Sequence, residues 1–175
     1  HRLAPWRNLI DVGLSARSCQ CASFPRPSLV QNTFATPTAI ATDTVTRRAN
    51  SAVTGAAMFN ALEIVGKKIG DVKLATSGAG AAGIACLDML VALGLKPENI
   101  LALDRDGVLY EGRGHLDADK ARYARKTDKR TLAEIVDGAD IFLGLSAGGV
   151  LKPAMVATMA ARPIIFALAN PYPEI

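Results

Sequence analysis

The sequence predicts an α/β protein in which a doubly wound parallel sheet is covered by helices on both faces. Two observations carry this prediction. From residue 51 onward, short apolar runs alternate with helix-forming segments, and the runs are apolar at nearly every position, as in strands that are buried on both faces. The segment 73–86 passes from an apolar run through Gly-x-Gly-x-x-Gly directly into an Ala-rich stretch, which is typical of a Rossmann-like βαβ unit.

Each element follows from local patterning. The predicted elements are, in chain order, a helix over 52–65, a strand over 72–76, a helix over 80–93, a strand over 100–103, a short extended piece over 108–110, a helix over 132–136, a strand over 141–145, a helix over 153–160 and a strand over 164–168. Gly66, Gly94 and Gly138 end three of the helices, and Pro153 begins the last one. The highly charged segment 113–130 is expected on the surface.

The loop after the first strand carries the strongest functional signal. Gly78 permits a tight turn, Gly80 lets the backbone approach a pyrophosphate, and Gly83 allows close packing of the helix. The start of that helix offers unpaired N–H groups and the positive end of its dipole to an anion. Asp104 ends the next strand about twenty residues further on, where an acid binds the ribose hydroxyls of an adenosine. A plain loop of small residues is the alternative, and Asp104 favours the dinucleotide.

Composition separates residues 1–50 from residues 51–175. The first segment has six Arg, no Lys, two Asp and no Glu, a formal charge of +4, whereas the second has equal numbers of basic and acidic side chains. The basicity therefore does not belong to the folded domain, and neither a nucleic-acid nor a membrane partner is expected. Residues 1–50 lack a sustained period and contain four prolines, which predicts an irregular or disordered segment. A transit peptide and out-of-frame translation are the two explanations for it.

Six segments of the chain occur together in a fixed order: AMFNALE at 57–63, GKKI at 66–69, SGAGAAGIA at 77–85, GVLYEGR at 107–113, FLGLS at 142–146 and ALANP at 167–171. Over about residues 51–175 they resemble the NAD(P)-binding domain of malic enzymes, especially those of the bacterial type. The resemblance implies oxidative decarboxylation of malate to pyruvate and carbon dioxide, reduction of NAD or NADP, a divalent Mg or Mn ion, and a homo-oligomeric, cytoplasmic protein.

The resemblance also assigns site residues. The pyrophosphate loop comprises Ser77, Gly78, Ala79, Gly80, Ala81 and Ala82, the ribose contact is Asp104, and the nicotinamide side is lined by Ser146, Ala147 and Gly148. Asn170 matches an Asn that holds malate or the nicotinamide. Because open sheets bind ligands at the carboxyl ends of their strands, the position of Ser146 also has an independent physical reason. Ordinary turns at 146–149 and at Asn170 are the alternatives.

The departures from the family concern catalysis. The family's catalytic Tyr and Lys and two of its metal-binding acids lie in a domain outside the resemblance, and an ungapped count from Asn60 puts Val45 and Thr46 where two further acids belong. No catalytic or metal-binding residue is therefore assigned. We expect a C-terminally truncated sheet that ends at Ile175, and a fragment that is inactive alone.

Other functions remain open at this point. The domain of another nicotinamide enzyme, a dinucleotide-sensing module and a non-catalytic remnant are the alternatives. The cofactor preference is open as well. Asp104 favours the free 2′-hydroxyl of NAD, which indicates NAD, whereas Arg105 offers a partner to the 2′-phosphate of NADP.

Overall fold

A computed structural model describes the backbone of residues 38–175 and the side chains of Ala49 and residues 51–175. Its elements are α1 (Thr38–Val65), β1 (Leu74–Ser77), α2 (Ala81–Ala92), a 3₁₀ turn (Pro97–Asn99), β2 (Ile100–Asp104), β3 (Gly107–Val108), α3 (Ala118–Ala121), α4 (Leu132–Val136), β4 (Ile141–Gly144), α5 (Pro153–Val156) and β5 (Ile164–Ala167). None of the helices in this part of the chain has the length and apolar character that a membrane crossing needs.

The five strands form one sheet in the order β3-β2-β1-β4-β5. β1 pairs in parallel with both β2 and β4, and β5 pairs in parallel with β4. β3 runs antiparallel to β2 at the edge, because a two-residue turn at Arg105-Asp106 reverses the chain at once, and Gly107 after it has a φ of 116°. The other strand pairs are parallel, as the sequence predicts, and the short edge strand β3 makes the sheet mixed.

Side chains of the central strands alternate between two hydrophobic cores. Leu74 and Ile141 pack with α1 and α2 on one face, whereas Ala75 and Phe142 pack with α4 and α5 on the other. All four are buried, as a strand between two helical layers requires. The predicted Rossmann-like arrangement, with helices on both faces, is confirmed.

The helix α2 packs against α1, and both helices contribute to the core on the same face of the sheet. The buried residues of α2 are Gly83, Ile84, Cys86, Leu87 and Leu90. A Cβ placed on Gly55 of α1 would come within 3.0 Å of Leu93 and 3.2 Å of Met89, so α1 and the end of α2 pack closely at this glycine. Cys86 is a member of this core, and its burial raises the pKa of its thiol.

Some boundaries differ from the prediction. The helix α1 begins at Thr38, so residues 38–50 are helical where the sequence predicts an irregular segment. The prediction rests on hydrophobic periodicity, and the apolar residues of this stretch lack a clear period. No proline follows Pro37 in the stretch, however, so nothing in it prevents a helix. Val45 and Thr46 lie within α1, with side chains outside the described ones. Residues 1–37, including most of the segment to which the transit-peptide and out-of-frame explanations apply, lie outside the described residues.

The charged segment 113–130 is not all on the surface, so that prediction is wrong in part. Tyr123 is 4% exposed and packs into the core on the α2 side of the sheet. Its hydroxyl donates to the carboxylate of Asp88 at 2.5 Å, and Arg122 donates to both oxygens of the same carboxylate at 3.1 and 3.2 Å. One aromatic ring inside a charged run therefore fixes the segment against α2.

A polar cluster ties β1 to β4 at their amino ends. The Nζ of Lys67 donates to the carboxylate of Asp140 at 2.7 Å and to the carbonyl of Ala161 at 2.6 Å. The other carboxylate oxygen of Asp140 accepts the backbone N–H of Lys73 at 2.9 Å. This cluster lies at the edge of the sheet opposite to the carboxyl ends of the strands.

Candidate functional site

The predicted site residues gather at the carboxyl edge of the sheet. Ser77 ends β1, Asp104 ends β2, Ser146 follows β4 and Asn170 follows β5. β2 and β4 lie on opposite sides of β1, so the strand order reverses its direction at this point. Open α/β sheets bind ligands in the crevice outside such a switch point.

Three glycines shape the loop between β1 and α2. Gly78 has a φ of 112°, and a Cβ there would come within 2.5 Å of the carbonyl oxygen of Leu145. A Cβ at Gly83 would collide with the carbonyl oxygen of Gly78, so α2 starts directly against the loop. A Cβ at Gly80 would meet nothing within 4 Å. Packing therefore requires the first and third glycines, and the second one leaves open space beside the backbone.

Backbone groups fix this loop and present donors in it. The N–H groups of Gly78 and Ala79 donate to the carbonyl of Leu103 at 2.8 and 3.1 Å. Ala81 and Ala82 begin α2 and are exposed. Amides in the first turn of a helix have no carbonyl partner within the helix and carry the positive end of its dipole. The loop therefore offers N–H donors to an anion where the sequence predicts a pyrophosphate.

Asp104 lies among cations that the sequence-based prediction does not include. Its carboxylate accepts hydrogen bonds from Arg113 at 2.8 Å, from Lys120 at 3.0 Å and from the N–H of Asp106 at 2.9 Å. Burial by itself raises the pKa of Asp104, but these bonds outweigh it and hold the pKa below the ordinary value. The predicted ribose contact is thus an ionised carboxylate that already has protein partners.

The loop after β4 is held from two sides. The hydroxyl oxygens of Ser77 and Ser146 share a hydrogen bond of 2.6 Å across the switch point. The N–H of Ser146 donates to Glu174 at 3.0 Å, and the second carboxylate oxygen of Glu174 accepts the N–H of Ala169 at 3.1 Å. Ser146, Ala147 and Gly148 are themselves exposed. The base of the loop is therefore fixed, while the predicted nicotinamide lining faces outward.

The segment that carries Asn170 folds back onto the same loop. The N–H of Gly149 donates to the carbonyl of Pro173 at 2.9 Å, and a Cβ at Gly148 would come within 2.7 Å of Tyr172. Asn170 is exposed. The structure therefore brings the predicted substrate residue to the same edge of the sheet as the predicted nicotinamide lining.

Sequence patterns do not single out Arg113, Lys120 or Glu174. Arg113 and Lys120 lie in a charged run whose members look alike, and Glu174 follows two prolines without any periodic signal. Across the part of the chain that the structure describes, no group of three or more His, Cys, Asp or Glu residues is placed to hold a metal ion. These residues therefore do not fit the Mg or Mn ion that the resemblance implies, and no step is assigned to a metal.

Residues 48–175 match the sequence profile of a protein family described as the NAD-binding domain of malic enzyme. The chain is similar to the NAD-dependent malic enzyme of Rhizobium meliloti (strain 1021), with 54% identity over 124 residues, and to the NADP-dependent malic enzyme of the same strain, with 51% identity over 124 residues. Each alignment covers 70% of this chain, and the chain spans 16% of the length of each relative.

Solved structures agree with the sequence comparison. The crystal structure of the NAD-dependent malic enzyme from Thermotoga maritima superposes with a TM-score of 0.67 at 39% identity, covering 73% of this chain and 35% of that one. The crystal structure of the Entamoeba histolytica malic enzyme gives a TM-score of 0.67 at 33% identity, covering 73% of this chain and 28% of that one. Because one of the two Rhizobium relatives is NAD-dependent and the other NADP-dependent, similarity alone leaves the cofactor preference open.

Proposed function

Because this chain belongs to the malic enzyme family, whose NAD-binding domain it carries, we propose that it binds a nicotinamide dinucleotide, NAD or NADP, at the carboxyl edge of its sheet. The open space beside Gly80 is the observation that carries the proposal. It lies between two glycines that packing requires and next to the first turn of α2. Open space beside the backbone, next to the amides that begin a helix, suits a pyrophosphate.

The order of the strands determines how the dinucleotide would lie. With the pyrophosphate at residues 77–82 after β1, the adenosine half extends over β2 and the nicotinamide half over β4. Asp104 is then the contact for the adenosine ribose, and Ser146, Ala147 and Gly148 line the nicotinamide side. Asn170, after the next strand, borders the place of the substrate.

We further propose that the domain serves the oxidative decarboxylation of malate to pyruvate and carbon dioxide. Bound NAD or NADP supplies the acceptor for the hydride of malate. The described residues of this chain contribute binding and orientation of the dinucleotide. None of them is assigned as a general acid or base, so the reaction itself requires the whole enzyme. This chain spans 16% of the length of each of its two Rhizobium relatives.

Three further predictions complete the proposal: a homo-oligomeric state, a cytoplasmic location and no nucleic-acid partner. The equal numbers of basic and acidic side chains in residues 51–175 support the last of these. Sedimentation velocity tests the first, and a filter-binding assay with mixed RNA and DNA tests the last.

Titration of NADH and NADPH, followed by nicotinamide fluorescence, tests dinucleotide binding. Gly80→Ala should raise the Kd for both ligands about tenfold, because its methyl group takes the space of the pyrophosphate. Its Tm should fall by only a few degrees, since the new Cβ meets nothing within 4 Å and the cost is that of Ala at the N-cap of α2. Gly70→Ala is the matched control, because Gly70 lies before β1 and its Cβ has only ordinary contacts at 3.7 Å and beyond. Equal affinity of the wild type and Gly80→Ala would contradict the proposal.

A further inference from the structure

Glu174 occupies an unusual position beside the proposed nicotinamide side. Its side chain is fully buried, with 0% exposure, and each carboxylate oxygen accepts a backbone N–H from a different loop. One donor is Ser146 in the loop after β4, and the other is Ala169 in the loop after β5. We infer that Glu174 is a positioning residue that joins these two loops and so preforms the nicotinamide half of the site. The inference rests on the proposed function.

Burial of this carboxylate is costly unless its oxygens are satisfied. None of the ion pairs among the described residues includes Glu174. The two backbone N–H groups therefore offset the cost of burying Glu174, and each of them needs one side-chain oxygen as its acceptor. A carboxylate supplies two acceptors, whereas a glutamine supplies one and turns an N–H donor towards the other loop. A carboxylate at this position is therefore suited to joining the two loops, a role that an apolar side chain filling the same space could not perform.

Gly144 at the end of β4 makes room for this side chain. A Cβ at Gly144 would come within 2.6 Å of both Cγ and Oε1 of Glu174. Gly144 is not among the glycines with positive φ, so the close approach of Glu174 and not backbone conformation requires a glycine here. The carbonyl of Glu174 also accepts the N–H of Leu151 at 2.8 Å, which anchors its backbone.

The same loop is fixed on its other side by β1. The hydroxyl of Ser146 shares its 2.6 Å hydrogen bond with Ser77, and the N–H of Leu145 donates to the carbonyl of Ser77 at 2.8 Å. Loss of Glu174 would leave two backbone amides without their acceptor and free the outer side of the loop. The pyrophosphate loop keeps its own bonds to Leu103 and would not move.

Two ligands separate the halves of the site. NADH carries the nicotinamide, whereas ADP-ribose carries only the adenosine, the pyrophosphate and one further ribose. In the full chain, Glu174→Ala should weaken NADH binding about tenfold, since two hydrogen bonds to the loops are lost, and leave the Kd for ADP-ribose unchanged within about twofold. Glu174→Gln keeps one acceptor and should therefore weaken NADH binding less than Glu174→Ala does. The exposed Glu98, changed to Ala, is the control.

Equal losses for NADH and ADP-ribose would overturn the inference, because they would show a general effect on the fold, and so would an unchanged Kd for NADH. If the wild type binds neither ligand, the proposed function fails and the inference in its ligand-binding form fails with it.

Amide hydrogen exchange, measured by NMR on unliganded Glu174→Gln, tests the loop contacts without any ligand. Faster exchange at Ser146, at Ala169 or at both is expected, with the amides of Gly78 and Ala79 unchanged. Unchanged exchange at both Ser146 and Ala169 would overturn the positioning role, whatever the result of the titrations.

Discussion

The guanidinium of Arg113 donates to the carboxylate of Asp104 at 2.8 Å, and the two side chains are only 12% and 9% exposed. Lys120 adds a second cation at 3.0 Å. The acid expected to bind the adenosine ribose is therefore not an isolated negative charge. Two neighbouring cations offset its repulsion of a 2′-phosphate, which weakens the electrostatic argument for NAD that Asp104 by itself provides.

Lys120→Met should shift the cofactor preference towards NADH. Removal of this cation leaves the negative charge of Asp104 less compensated, which disfavours a 2′-phosphate, while it frees a carboxylate oxygen for ribose hydroxyls. The ratio of the Kd for NADPH to the Kd for NADH should rise about tenfold. Lys126→Met changes an exposed lysine of the same segment and serves as the control. An unchanged ratio would show that Lys120 does not act on the adenosine side.

The pH dependence of stability should reveal the ion pair of Asp104. Its hydrogen bonds lower its pKa in the folded chain below the ordinary value of 3.8. A depressed pKa contributes stability that is present above pH 3.8 and is lost as the pH falls through the folded value. Urea unfolding should therefore show Asp104→Asn to be less stable than the wild type at pH 7, with a smaller difference at pH 3. Asp128→Asn, at an exposed position, should show no such trend.

Gly83→Ala should destabilise the fold by about 1–3 kcal/mol or more, because its Cβ meets the backbone carbonyl of Gly78, which cannot move aside. Urea unfolding gives the free energy directly. Gly80→Ala is the natural comparison, since the same change is made three residues away in open space. If Gly83→Ala were as stable as the wild type, α2 would not begin against the loop as described.

Lys67→Met should lower the free energy of unfolding by about 1–2 kcal/mol, because Lys67 and Asp140 are 17% and 19% exposed and their contact is a charge-assisted hydrogen bond. The adjacent Lys68 is exposed, so Lys68→Met is a matched control. NADH affinity should not change in either variant, since the cluster lies at the amino ends of β1 and β4. A weaker affinity in Lys67→Met with unchanged stability would contradict this separation of roles.

Local signals account for the elements that the sequence predicts correctly. Gly94 and Gly138 follow α2 and α4 with φ of 109° and 70°, values that favour glycine, so these helix ends are visible in the sequence. The site edge is also predictable, because carboxyl ends of parallel strands converge. The partners of the site residues are not predictable in this way. Arg113 reaches Asp104 only through the turn before β3, a strand of two residues that leaves no periodic pattern.

Glu174 shows the same limit at longer range. It lies 28 residues from Ser146, and no spacing rule connects the two. Only the parallel pairing of β4 with β5 places their following loops side by side. The order of these residues along the sheet edge therefore follows from the sequence, whereas the contacts that fix the loops depend on tertiary packing.

The register of the central strand has a consequence for the order in which the sheet forms. In the β1–β2 register Leu74 lies opposite Ile100, whereas in the β1–β4 register it lies opposite Ile141, so the pairing with β4 closes a much longer loop. The longer closure costs about 0.8 kcal/mol more in chain entropy. Pairings between residues close in sequence form fastest. The unit β1-α2-β2, which holds the proposed pyrophosphate loop, can therefore assemble as an early folding nucleus, and β4, which precedes the proposed nicotinamide lining, is added to it afterwards.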